Sequence, residues 1–83
     1  MMTVHDIVYE QIRTVAKQQH KTLVSLVDDL PLLETGLDSL CIAILIASLD
    51  DQLDASPFDE EGVVIPITVG DLVQIYQTAK YPA

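Results

Sequence analysis

Apolar residues recur at helical spacing along three stretches of this chain. Val4, Ile7, Val8, Ile12, Val15 and Ala16 fall on one side of a helical wheel, while Asp6, Glu10, Arg13 and Lys17 fall mostly elsewhere, so this stretch reads as a helix with one buried stripe. Thr3 and Asp6 have the form of a capping box, which places the helix from about Val4 to Gln19. Near the other end, Val69, Leu72, Val73, Tyr76 and Ala79 repeat the pattern after a second capping box, Thr68-Val69-Gly70-Asp71. Pro66 disfavours helix at Ile65, so the last helix opens at Thr68 and runs to about Lys80. The middle stretch, Ser39 to Leu53, differs from both. Ile42, Leu45, Ile46, Leu49 and Leu53 form the expected buried stripe, yet Leu40, Ile44, Ala47 and Asp51 lie on the opposite side, with Ala43 toward its flank. A small bundle cannot easily bury a helix all round, so this second apolar face predicts a partner surface.

The connecting segments carry turn signals. From Lys21 to Leu37, Leu23, Leu26, Leu30, Leu33 and Leu37 supply anchors every three or four residues, but Pro31, Asp28, Asp29 and Gly36 break any long helix. The segment is therefore predicted to be a long loop pinned to the core by its leucines, with room for a short helical turn; loops of this length in small domains usually carry function. Ser56-Pro57 followed by acidic residues predicts a single-turn helix with Phe58 packed inward. Val63-Val64-Ile65 has no partner strand, so it is predicted to be an extended connector filling the core.

Length and composition narrow the function classes. The 83 residues make a single domain, 1–83, with frayed ends at 1–2 and 81–83; a chain of this size buries only about 60% of its unfolded surface. Nearly half the residues are apolar, but the longest apolar run, Leu40 to Ala47, is far below the roughly 18 to 20 needed to cross a bilayer. The N-terminus lacks the basic start and apolar core of a signal peptide, so the cytoplasm is the expected compartment. Cys41 is the single cysteine and reads as a small core side chain; His5 and His20 read as solvated residues flanking the first helix. Cysteines and histidines are too few for a structural zinc site. The carboxylates Asp50, Asp51, Asp54, Asp59, Glu60 and Glu61 lack the glycine and ligand alternation of a calcium loop and read as a solvated run.

Net charge is −9, and Thr22 to Ala79 contains no Lys or Arg. Nucleic acid and anionic membranes would be repelled; partners with basic docking patches would be attracted.

The candidate chemistry lies at Gly36-Leu37-Asp38-Ser39-Leu40. Asp38 is a good N-cap, Gly36 suits positive φ, and Leu37 can turn into the core and fix the angle of Ser39. A hydroxyl at the positive end of a helix dipole is well placed to carry a phosphate ester.

The run Leu33-Glu34-Thr35-Gly36-Leu37-Asp38-Ser39-Leu40 closely resembles the phosphopantetheine attachment motif, Gly-x-Asp-Ser-Leu, of the acyl and peptidyl carrier protein family. The order of elements resembles that family over nearly the whole chain: a helix, a long loop, a helix directly after the motif, and a final helix opened by Pro-x-Thr. The resemblance implies an all-α fold, a small three-to-four-helix bundle of acyl-carrier-protein type with a long loop between helices 1 and 2. It implies 4'-phosphopantetheine esterified to Ser39, with Asp38 helping the transferase recognise it. The corresponding helix in carriers is the main docking helix, which assigns Leu40, Ala43, Ile44, Ala47 and Asp51 to partner binding. Many fatty-acid carriers are acidic where this chain has Ile44, which points to a dedicated enzyme set.

The expected protein is thus a monomeric, stand-alone carrier with no catalysis of its own, holding acyl intermediates as thioesters in a dedicated biosynthetic pathway. Its partners would be a phosphopantetheinyl transferase, an acyl- or aminoacyl-loading ligase and acyl-transferring enzymes. Two alternatives stay open: an aminoacyl or peptidyl carrier loaded by an adenylate-forming ligase, and an acidic helical adaptor without a prosthetic group. A serine hydrolase is disfavoured, because Ser39 has no neighbouring base in sequence and the second glycine of a nucleophile elbow is missing.

Overall fold

The computed structural model describes residues 2–59, 62 and 65–81. Among them are three α-helices: α1, Val4–Gln18; α2, Ser39–Leu53; and α3, Val69–Lys80. Single 3₁₀ turns at Leu32–Glu34 and Pro57–Asp59 punctuate the connections. There are no strands among the described residues; an isolated antiparallel bridge joins Pro31 to Thr68. The fold is all-helical, with three helices where three to four were expected, and the radius of gyration is 11.9 Å, near the roughly 11.8 Å of a folded chain this long.

Both predicted capping boxes form. Thr3 accepts from the Asp6 N–H while Asp6 accepts from the Thr3 N–H, and Thr68 and Asp71 do the same at α3. These reciprocal bonds satisfy amides that have no partner within the first turn.

One core joins the elements. Val4, Val8, Ile12 and Val15 of α1 meet Leu45, Leu49 and Leu53 of α2 and Val69, Leu72 and Tyr76 of α3, with α1 packing broadly against both other helices. Tyr76 ties α3 to α2: its hydroxyl, fully buried with the ring, donates toward Asp50 and the Ile46 carbonyl. Burial, and then Asp50, push its phenol well above the usual range. At the end of α3, Lys80 Nζ donates to the Leu53 carbonyl at 3.0 Å, closing the C-terminus of α2.

The long loop is stitched rather than loose. Leu32 N–H donates to Ile67 O, Val69 N–H to Leu30 O, and Gly70 N–H to Asp28 O, so the loop lies along the entry to α3. His5 and Tyr9 of α1 both bond Asp28 from the other side. Burial, and then Asp28, push the Tyr9 phenol up to about 12. His5 was expected to be a solvated terminal residue, and the structure gives it this partner and a stacked contact with Tyr9.

Several side chains lie differently from their predicted places. Leu33 was expected to anchor the loop but is 70% exposed, because the Leu32–Glu34 turn sends its neighbour Leu32 inward instead. Ile65 was expected to help fill the core and is 81% exposed; Val63 and Val64 lie outside the described residues. Ala79 is exposed at the end of α3, where the helix runs past the core. Ile44 was placed on the outward face of α2 and is half-buried, because it sits on the flank of α2 that also carries Ser48, whose hydroxyl donates to Gln11 on α1.

Candidate functional site

The site is built by the end of the loop. Gly36 adopts φ +114°, and a Cβ on it would lie 2.1 Å from the Thr22 carbonyl oxygen. Only glycine permits this approach of the loop's end to its beginning. Beside it, Thr35 is buried, donates its hydroxyl to Leu32 O, accepts from the Leu37 N–H, and gives its carbonyl to the Val24 N–H. Leu37 is 2% exposed and locks the turn into the core.

Asp38 then caps α2. Its backbone is extended, its carboxylate accepts from the Cys41 N–H at 2.9 Å, and its carbonyl accepts from the Ile42 N–H. The Cys41 N–H, and after it Lys21, hold the Asp38 carboxyl down to about 2. Lys21 Nζ lies 3.2 Å from Asp38 Oδ2, and among the described residues this is the one ion pair made by a lysine or arginine.

Ser39 follows as the first residue of α2 and is exposed. Among the described residues no group is hydrogen-bonded to its hydroxyl, and the amides of Ser39 and Leu40 have no acceptor. Among the described residues the helix end therefore presents a hydroxyl and two N–H groups without partners, with the Lys21 ammonium paired to the capping Asp38, a set that fits a phosphate ester.

Next to the hydroxyl opens a half-open apolar groove of about 450 Å³, walled by Ser39, Ile42 and Ile46 of α2, by Leu32 and Phe58, and by Ile65 to Ile67. Ser39, Ile42 and Ile46 are spaced i, i+3 and i+7, so they share one strip of the helix. Phe58 packs edge-on against Tyr76 at the groove's base.

No protein-family model, curated protein or solved structure matches this chain.

Asp38 and Ser39 stand as the N-cap and the first residue of α2. Leu40, Ala43, Ala47 and Asp51 are exposed along one side of α2, with Leu40 66% exposed, and Ile44 turns partly away from them. Three features escaped the sequence. Ile42 and Ile46 read as core residues, but they are half-buried groove walls. Lys21 stands seventeen positions before Asp38, so no spacing rule links them. Thr35 carried no signal beyond its place in the motif.

Cys41 is buried under the first turn of α2. Among the described residues no cluster of histidine, cysteine or carboxylate could hold a metal, and no helix is long and apolar enough to cross a membrane.

Proposed function

We propose that this protein is a carrier that bears 4'-phosphopantetheine on Ser39 and holds an acyl intermediate on it as a thioester. The observation that carries the proposal is the placement of the Ser39 hydroxyl: exposed, at the start of α2 and at the mouth of an apolar groove. Coenzyme A would supply the group. Ser39 Oγ would hold the group through a phosphodiester, with the phosphoanhydride bond to the nucleotide half broken, adenosine bisphosphate as the leaving group and a base on the transferase taking the hydroxyl proton. The bound group supplies a thiol for thioester exchange.

This chain's residues divide the remaining work. Asp38 fixes the first turn and presents a carboxylate to the transferase. Leu40, Ala43, Ala47 and Asp51 offer a small apolar face edged by acid, suited to weak, electrostatically steered docking that can let go. Tethering raises the effective concentration of the intermediate at each docked enzyme.

The groove favours an acyl cargo over an aminoacyl one. Its volume is about three times that of a dry apolar cavity of about 150 Å³ that takes benzene, and its walls are aliphatic or aromatic apart from Ser39. An aliphatic chain loses water contact there, whereas a charged amino group would be left without a partner.

Incubation with coenzyme A and a broad-specificity phosphopantetheinyl transferase, read by intact mass, tests the proposal. One phosphopantetheine should add to the natural sequence and none to Ser39→Ala. A natural sequence that gains nothing would favour the adaptor.

A further inference from the structure

Lys21 is placed beside Asp38 by two independent constraints. At the C-terminus of α1, His20 N–H donates to Lys17 O, Lys21 N–H donates to Ala16 O, and His20 adopts φ +56°. These are the paired bonds of a Schellman closure, which fixes the direction in which Lys21 leaves the helix. One residue later, the Thr22 carbonyl is pressed against Gly36, and the Val24 N–H bonds Thr35. The start of the loop is thereby held against its end, two residues short of Asp38. The result is a single ammonium group at the mouth of the site, in front of a stretch, Thr22 to Ala79, with no other Lys or Arg.

A structural salt bridge alone would contribute little here, since both partners are substantially exposed. The arrangement matters more once the neighbouring residue is charged. Asp38 is ionised at neutral pH, so a phosphodiester on Ser39 adds a second anion one residue away, in a field that is already strongly acidic.

Resting on the carrier proposal above, we infer that Lys21 is a positioning residue for the modified serine: its ammonium bridges Asp38 and the phosphodiester on Ser39, so that modification tightens the loop against α2. The long flexible stem lets the ammonium serve both anions without moving the backbone.

The test compares unmodified and phosphopantetheinylated full-length protein for the natural sequence, Lys21→Ala, Lys21→Gln and Lys21→Arg. Thermal unfolding and the phosphorus chemical shift of the modified form are both recorded. Modification should raise the midpoint of the natural sequence by about 2–5 °C. That increment should vanish in Lys21→Ala and Lys21→Gln and return in Lys21→Arg, with the phosphorus shift following the same order. A merely structural role would lower both forms equally and leave the increment and the phosphorus shift unchanged. An increment of the same size in all four proteins overturns this inference and leaves the carrier proposal standing. A natural sequence that cannot be modified overturns both. If Lys21→Ala does not fold, Lys21→Gln against Lys21→Arg decides.

Discussion

Gly36 governs where Ser39 can stand. Alanine there must accept φ +114° and a Cβ in collision with the Thr22 carbonyl, and backbone, unlike a flexible side chain, cannot step aside. Gly36→Ala should therefore cost about 2–4 kcal/mol, measured by urea unfolding; an unchanged midpoint would show that the loop closes in another way. Asp38 acts through its charge. Its folded value of about 2 lies below the ordinary 3.8, so its contribution to stability is complete above the ordinary value and is lost as pH falls toward about 2. Asp6 and Asp71 are lowered in the same direction by their capping bonds. Asp38→Asn, which can still cap but carries no charge, should therefore lower stability at neutral pH, change it little as pH falls toward about 2, and so flatten part of the acid limb of a stability–pH profile. A profile with the same acid limb as the natural sequence would count against the ionised cap. At this scale the sequence was informative where one residue does its work locally: the need for glycine, the cap and the exposed serine were all legible. Lys21 and Thr35 were not, because their partners are set by how the loop closes on itself.

The helices differ in how much of their role could be read. α1 and α3 each have one apolar stripe and one capping box, and both formed nearly as predicted. α2 is apolar on several sides, and periodicity alone cannot distinguish a core wall from a groove wall. The structure separates them: Cys41, Leu45, Leu49 and Leu53 enter the core, Ile44 flanks α1, and Ile42 and Ile46 face the groove. The groove's opposite wall comes from the Leu32 turn and the 65–67 segment, which only tertiary closure brings near Ser39. Tyr76 keeps α2 and α3 in this arrangement through Asp50 and the Ile46 carbonyl. Tyr76→Phe retains the ring and removes the hydroxyl, so it should cost about 1–2 kcal/mol in urea unfolding. A neutral result would mean that ring packing alone holds the two helices together.

Across the whole molecule, charge and packing oppose each other. The net charge of −9 on 83 residues repels itself in the folded state. Raising ionic strength from about 0.01 M to about 0.5 M shortens the screening length several-fold and should raise the unfolding midpoint; a fall would mean that specific ion pairs outweigh the general repulsion. The same absence of cations from Thr22 to Ala79 provides a direct test of the central claim. Trypsin cuts after Lys21 and Lys80, so one long peptide holds Ser39. Mass analysis of that peptide, from protein isolated from its own cells and from protein treated with coenzyme A and transferase, should show phosphopantetheine, with fragmentation placing it on Ser39. A bare peptide in both samples, or the group on any other residue, would contradict the account.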